Sequence, residues 1–203
     1  MTSFHPAPGA CGPLRGPRDA LLIVDVQCDF LPGGALAVPD GDAVIPALNR
    51  YIARAVDAGA RVFASRDWHP PNHCSFREQG GVWPRHCVAG TRGAQLAFDL
   101  RLPPGACTID KGTSPEAEAY SAFSGTGLGD ALRARGIKRL VIGGLVTDYC
   151  VRSTVRDALA EGFEVFVLED AICAVDMRPG DGDKAKREMR EAGAVLVRDS
   201  ELV

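Results

Sequence analysis

The chain has 203 residues, the size of one α/β domain, and 46% of them are hydrophobic, enough for a substantial core. The net charge of -3 and the lack of a basic stripe exclude a nucleic-acid footprint, and no apolar run approaches membrane-spanning length. Seven cysteines without a C-x-x-C pair, and no signal peptide, predict a cytoplasmic protein. We expect a single domain over 19–203; a homo-oligomer is left open.

Residues 1–18 precede the first apolar run and hold four prolines and three glycines. Such a segment buries little apolar surface, so we predict a flexible N-terminal arm. A second interpretation is that the arm contacts a partner subunit.

Residues 19–27 read as a buried strand that ends in the carboxylate of Asp25. A charge at the carboxyl end of such a strand lies where α/β sheets bind ligands, so Asp25 is a general-base candidate. The alternative is an aspartate that caps a helix or a loop. A helix is predicted over 42–58, because its apolar residues recur at helical spacing and Gly59 follows as a stop signal.

A second strand over 61–66 ends in the sequence Asp67-Trp68-His69. Residues two apart in extended chain project to one face, so Asp67 and His69 can share a metal ion, with His86 as a third ligand. One carboxylate and two imidazoles suit Zn, Fe(II) or Mn. The alternative is an Asp–His hydrogen bond at a turn. His73 either adds to the site or pins the loop.

The segment 67–104 contains little regular structure beyond a short helix expected at 94–100, and loops of that length are usually functional. A third strand over 106–110 ends at Lys111, which could hold an oxyanion or lower a thiol pKa, or be an ordinary surface lysine. Tyr120 follows on a loop and could form an aromatic wall.

The stretch 139–152 organises the chain: an apolar strand bounded by Gly-Gly, then Thr147 as a predicted helix N-cap. This places Cys150 in the first helical turn, beyond the carboxyl end of a strand. Unpaired N–H groups and the helix dipole there favour a thiolate nucleophile. The alternative is a small, inert core cysteine.

Strands and helices alternate to the end of the chain, with a strand over 164–168, a helix over 183–192 and a strand over 194–197. Right-handed crossovers then give a parallel sheet with helices on both faces. The predicted fold is a three-layer α/β sandwich around a mostly parallel, doubly wound sheet of about six strands.

Five separated pieces of the sequence resemble the isochorismatase-like cysteine hydrolase family, and they lie at 23–30, 65–70, 83–91, 111–112 and 144–151. The first and last pieces mark the family as a whole. The D-W-H and W-P-x-H-C-V pieces resemble its metal-dependent branch, the nicotinamidases. The likeness runs from about residue 19 to the end of the chain.

The resemblance implies roles for residues that the patterns alone left open. The implied catalytic triad is Asp25, Lys111 and Cys150. The implied metal ligands are Asp67, His69 and His86, and the side chains implied to enclose the substrate ring are Phe30, Trp83 and Tyr120. It also implies a cis peptide between Leu145 and Val146, and an oxyanion hole made by the amides of Val146 and Cys150.

The implied reaction is hydrolysis of nicotinamide to nicotinate and ammonia through a cysteine thioester, in NAD salvage. The implied cofactor is one divalent transition metal ion, zinc in preference to iron or manganese. Two alternatives remain at this point. One is a related amidohydrolase acting on a carbamoyl or ureido substrate, which would not need three metal ligands; the other is an idle binding protein of the same fold.

Overall fold

The computed structural model describes residues 14–198. Six strands form one parallel sheet in the order β3-β2-β1-β4-β5-β6. Their bounds are β1 Asp19–Val24, β2 Arg61–Asp67, β3 Cys107–Lys111, β4 Arg139–Leu145, β5 Glu164–Cys173 and β6 Val195–Val197. The helices are α1 Val44–Asp57, α2 Leu128–Ala134, α3 Arg152–Ala160 and α4 Asp181–Glu191. The predicted three-layer, doubly wound fold is confirmed.

The strand order decides which helix covers which face. The chain moves from β1 to β2 in one direction along the sheet, then returns past β1 and continues through β4, β5 and β6 in the other. Because the crossovers are right-handed, α1 packs on one face and α2, α3 and α4 pack on the opposite face. The winding reverses between β1 and β4, and ligands bind at the carboxyl ends of strands beside such a point.

β1 is buried along its whole length and alternates its side chains between two cores. Leu21 and Ile23 belong to the core under α1, while Leu22 and Val24 belong to the core under the other three helices. This explains why the strand is a continuous apolar run rather than an alternating one.

The backbones of β1 and β4 approach each other closely at their carboxyl ends, at Val24 and Gly144. Gly144 of β4 has a φ of +122°, and a Cβ there would lie 2.1 Å from the carbonyl oxygen of Val24. A larger residue is therefore excluded, and the register of β4 with β5 shifts between Ile142 and Gly144.

Two local predictions are wrong. The helix expected at 94–100 is a series of turns, because its backbone pairs with residues 26–28: Cys28 N–H donates to Gln95 and Ala97 N–H donates to Val26. The fifth strand runs on to Cys173 instead of ending at Leu168.

The ends of the described chain bear on the predicted arm. Residues 1–13 lie outside the described part. Leu14 is buried against the core, and the amides of Arg15 and Gly16 donate to Asp19 Oδ2 at 2.5 and 3.0 Å. Within residues 14–198, no helix is both long and apolar enough to cross a bilayer.

The described cysteines are all free, and they are Cys28, Cys74, Cys87, Cys107, Cys150 and Cys173. The cytoplasmic location inferred from the cysteine pattern stays a prediction.

Candidate active site

Cys150 lies just beyond the carboxyl end of β4, as predicted. The peptide bond between Leu145 and Val146 is cis, which confirms that expectation. The expected α-helical first turn with Thr147 as N-cap is wrong: residues 147–151 form a π-helical turn, in which Val151 N–H bonds to Val146 O at 3.1 Å, and α3 begins only afterwards. π-helical turns are frequent at functional sites.

Asp25 follows β1 and is fully buried. Its φ of +49° is rare for a residue with a side chain, and such conformations persist where the surrounding structure fixes them. The Ser65 hydroxyl donates to Asp25 Oδ1 at 2.7 Å. Asp25 Oδ2 is buried, lies 3.0 Å from Lys111 Nζ and faces the Cys150 thiol.

Lys111 connects the groups of the site. Its Nζ lies 3.0 Å from Asp25 Oδ2, 2.5 Å from Asp67 Oδ1 and 3.6 Å from Cys150 Sγ. It also donates to the carbonyl of Ala119 at 2.9 Å. Oxygen atoms of Asp25 and Asp67 and the Cys150 sulfur lie within 4.8 Å of one another. The structure therefore brings together the three residues that the resemblance joined as a triad.

Burial and the lysine set the protonation of this cluster. Burial raises the pKa of Asp25, and Lys111 only partly offsets that rise. Burial also raises the pKa of Cys150 well above its usual value, which favours the thiol and opposes the thiolate expected from the helix dipole. Burial lowers the pKa of Lys111, but Asp25 and Asp67 raise it by more, and the lysine stays charged.

Asp67, His69 and His86 also meet, with one ligand atom of each within 4.8 Å of the other two. Asp67 ends β2, and His69 is two residues further along the chain, as the D-x-H pattern predicted. His86 comes from the long loop, and the bridge between His69 and Val88 brings the two histidines together. All three side chains are buried.

The hydrogen bonds of the two imidazoles test whether this cluster suits a metal ion. Nδ1 of His69 bonds to the carbonyl of Gly112 at 3.0 Å, and Nδ1 of His86 bonds to the carbonyl of Pro84 at 2.7 Å. A carbonyl can only accept, so each Nδ1 carries the proton and each Nε2 is left with its lone pair. This is the usual arrangement of metal-bound histidines. The residues present therefore fit a transition metal.

The pKa values of the two histidines shift in opposite directions. Burial lowers the pKa of His86, which keeps it neutral and able to ligate. Burial lowers the pKa of His69 too, but Asp67 Oδ2, 3.6 Å from Nε2, raises it by more. Asp67 is also buried, yet Lys111 and His69 together hold its pKa well below the usual range.

His73, for which a role as metal ligand was left open, uses both ring nitrogens in hydrogen bonds to groups outside the Asp67–His69–His86 cluster. Its Nδ1 lies 2.8 Å from the Ser75 hydroxyl and its Nε2 lies 3.2 Å from the carbonyl of Ala117. The ring stacks on that of His69 with centroids 4.0 Å apart. In this arrangement His73 supports a neighbouring ring and a loop.

One cleft connects the two clusters. Its empty volume is about 460 Å³, a figure that includes the open mouth of the cleft. Phe30, Trp83 and Tyr120 all line it, together with Asp67, His69, His86 and Cys150. Trp83 Nε1 donates to the Tyr120 hydroxyl at 3.0 Å, which fixes two of these rings against each other.

The sequence reasoning missed several cleft residues, which are Leu36, Val38, Glu118, Tyr149 and Val175. They come from loops or from the π turn, where no periodic pattern marks an inward side chain. Tyr149 could have been found from its place beside Cys150; its ring lies 5.1 Å from Trp83 and 5.5 Å from Tyr120.

Gln27 and Asp148 were also missed, and both hold backbone in place. Gln27 accepts from Asp67 N–H at 2.7 Å and donates to the carbonyl of the same residue at 2.8 Å. Asp148 accepts from the amides of Val175 and Asp176 at 3.1 and 3.0 Å, which fastens the loop after β5 to the π turn. A polar residue at the end of the apolar run that forms β1 was the available signal for Gln27.

The amides of Val146 and Cys150 are the predicted oxyanion donors. Both residues line the cleft.

A buried Asp–Lys–Cys cluster beside the switch point of a three-layer α/β sheet, facing a second Asp–His–His cluster across one cleft, defines an α/β enzyme of the hydrolase class. Residues 19–201 match the isochorismatase domain, and the chain belongs to that family.

The chain is similar to a nicotinamidase, to a pyrazinamidase and to a protein in complex with nicotinate. It is 43% identical to the nicotinamidase of Escherichia coli K12 over 201 residues, covering 89% of this chain and 94% of the relative. The pyrazinamidase of Pyrococcus horikoshii in complex with zinc superposes with a TM-score of 0.86 at 50% identity, covering 90% and 99%. PnC1 of L. infantum in complex with nicotinate gives 0.85 at 37% identity, covering 94% and 98%.

Proposed function

We propose that this enzyme hydrolyses nicotinamide to nicotinate and ammonia through a cysteine thioester, in NAD salvage in the cytoplasm. The observation that carries the proposal is that Cys150, backed by Asp25 and Lys111, lines the same cleft as the Asp67–His69–His86 cluster, between aromatic rings. The similarity to nicotinamidases and to a protein in complex with nicotinate supports the same substrate.

In the proposed first step Asp25 acts as the base. Its Oδ2 takes the proton of the Cys150 thiol, and the sulfur attacks the carboxamide carbon. The raised pKa of Asp25 suits it to accept a proton from a thiol whose own pKa is raised by burial. The charge that develops on the substrate oxygen is met by the amides of Val146 and Cys150, with Lys111 adding positive charge nearby.

The tetrahedral adduct then collapses and the C–N bond breaks. Protonated Asp25 gives its proton to the departing nitrogen, which leaves as ammonia, and a thioester on Cys150 remains. Asp25 next takes a proton from water, whose oxygen attacks the thioester carbon. The C–S bond then breaks, protonated Asp25 returns its proton to the Cys150 sulfur, and the acid product loses its carboxyl proton to water and leaves as nicotinate.

Phe30, Trp83 and Tyr120 would enclose the pyridine ring, and Asp67, His69 and His86 would hold one divalent metal ion. We favour zinc, because two imidazoles and a carboxylate suit it and a similar pyrazinamidase is in complex with zinc. The ion, when bound, would hold the ring nitrogen and orient the amide. The site residues then fix the carboxamide carbon against Cys150.

The test is ammonia release from a panel that holds nicotinamide, pyrazinamide, and carbamoyl and ureido compounds. Nicotinamide should be among the best substrates of the zinc-loaded protein. Cys150→Ser should lose turnover, while Cys74→Ser, which changes a thiol outside the cleft, should keep it. Preference for a carbamoyl or ureido compound would move the assignment to that reaction.

A thiol-directed reagent provides a second measurement that does not depend on turnover. Mass spectrometry should find the label on Cys150, and nicotinic acid should block it. Labelling of Cys150 that nicotinic acid leaves unchanged, together with no ammonia from any compound, would favour an idle binding protein.

A further inference from the structure

Glu118 carries an exposed carboxylate at the cleft, beside Tyr120. Asp67 is the other carboxylate that lines the cleft, and it is paired with Lys111. Glu118 Oε1 accepts the amide of Ala119 at 3.1 Å, and within residues 14–198 no cationic side chain forms an ion pair with it. Its charge is therefore left unbalanced at the cleft.

The backbone on both sides of Glu118 is tied to buried residues of the site. His73 Nε2 bonds to the carbonyl of Ala117, and Lys111 Nζ donates to the carbonyl of Ala119. These two anchors hold the intervening residue at the cleft. A glutamate on a free loop could swing into solvent, but this one has its Cα position fixed from both sides.

The charge of Glu118 reaches Tyr120, which lines the cleft beside it. Burial is the main reason that the pKa of Tyr120 rises to about 12, and Glu118 adds to the rise. That effect is the one expected of a nearby negative charge.

We propose that Glu118 is a specificity-determining residue that sets the cleft against anionic ligands, so that a neutral carboxamide is admitted and the carboxylate product is released. This inference rests on the proposed function, because that reaction turns a neutral substrate into an anion. Repulsion acts on the product alone, since the substrate carries no charge to repel. Glu118 would thus limit product inhibition without touching the reacting carbon.

The experiment compares Glu118→Gln with Glu116→Gln, an exposed glutamate two residues away on the same loop that does not line the cleft. Calorimetry measures the Kd of two probes for the zinc-loaded protein: nicotinate, and the neutral 3-pyridinemethanol. In Glu118→Gln, nicotinate should bind about 3-fold more tightly, as a single Coulomb interaction in a largely hydrated mouth predicts. The Kd of 3-pyridinemethanol should not change, nor should either Kd in Glu116→Gln.

Salt gives an independent readout. Because exposed charges are screened, the difference in nicotinate Kd between wild type and Glu118→Gln should shrink when 0.5 M NaCl is added. A residue that merely shapes the cleft would show no such salt dependence, and it would change the binding of both probes alike.

Equal nicotinate Kd values in wild type and Glu118→Gln, or equal changes for the two probes, would overturn the inference. Failure of the proposed function looks different: the wild type would release no ammonia from nicotinamide, while the binding comparison would still give its own answer. A wild type that binds neither probe would overturn both.

Discussion

Asp67 and Lys111 are register partners on neighbouring strands, and their side chains form an ion pair with Nζ 2.5 Å from Oδ1. Because paired residues of a parallel sheet project to the same face, the end of β2 delivers the carboxylate to the lysine at the end of β3. Asp67 therefore belongs to both clusters. Asp67, the proposed metal ligand, and Asp25, the proposed base, are both paired with the ammonium group of Lys111.

Replacing Lys111 should damage stability and turnover together. Lys111→Gln removes the lysine that pairs with buried Asp25 and Asp67, and losing one partner of a buried pair costs about 3 kcal/mol. The free energy of unfolding in urea measures this loss, and turnover of nicotinamide should fall by about 100-fold or more. Lys138→Gln, which changes an exposed lysine, is the control.

The loss of stability in Lys111→Gln should depend on pH. Burial already raises the pKa of Asp25, and Lys111 opposes that rise. Without the lysine, the pKa of Asp25 therefore rises further above its unfolded value. Such a group destabilises the fold only above the unfolded pKa, so the deficit should grow from pH 5 to pH 8. A deficit that is constant over that range would mean that lost packing, rather than charge, explains it.

Asp25→Asn should abolish turnover while the fold remains intact. The amide cannot accept the thiol proton, so a decrease of about 1000-fold is expected, within the range for loss of a general base. Steady-state kinetics measures it, with circular dichroism as the check on folding. Ser65→Ala, which removes only the hydrogen bond to Asp25 Oδ1, should have a much smaller effect. Comparable turnover in Asp25→Asn and wild type would exclude Asp25 as the base.

The convergence of Asp25, Lys111 and Cys150 could be predicted from sequence because each follows an apolar strand. The carboxyl ends of parallel strands share one edge, so three residues far apart in the chain could be expected at the same edge and can be neighbours there. The link between Asp67 and Lys111 could not be predicted, because it depends on the register of β2 against β3, which no local pattern encodes.

The cleft walls were predictable only where a motif marked them. Phe30, Trp83 and Tyr120 came from the resemblance, whereas Val175 reaches the cleft through a loop that Asp148 fastens. The raised pKa of the Cys150 thiol was missed for a related reason. A sequence shows that Cys150 lies near a helix N-terminus, which lowers a thiol pKa. It does not show how deeply the thiol is buried, and burial raises that pKa.

The N-terminal segment offers a test of where structure begins. Deleting residues 1–13 should leave the melting temperature within about 2 °C, because the segment has no periodic apolar positions. Extending the deletion through residue 16 also removes Leu14 from the core and two hydrogen bonds to Asp19, so it should lower the melting temperature. Size-exclusion chromatography of both forms checks the oligomeric state. A large drop for the shorter deletion would mean that residues 1–13 dock on the domain.

The metal site should depend on His69 and His86 but not on His73. His69→Ala and His86→Ala each remove one Nε2 ligand. The bound metal should therefore fall from one ion per chain towards zero, as measured by inductively coupled plasma mass spectrometry. KM for nicotinamide should rise, because ring binding is lost. Cys150 should still react with a thiol reagent, because Asp25 and Lys111 are untouched.

His73→Gln is the discriminating variant for the three-ligand set. Both nitrogens of His73 are engaged by Ser75 and Ala117, so its replacement removes support for the ring of His69 without removing a ligand. The variant should keep close to one ion per chain, with affinity lowered by about 10-fold, as for loss of an outer hydrogen-bonding partner. Complete loss of the ion would make His73 a fourth ligand after rearrangement. Full activity of a demonstrably metal-free protein would refute the metal site itself.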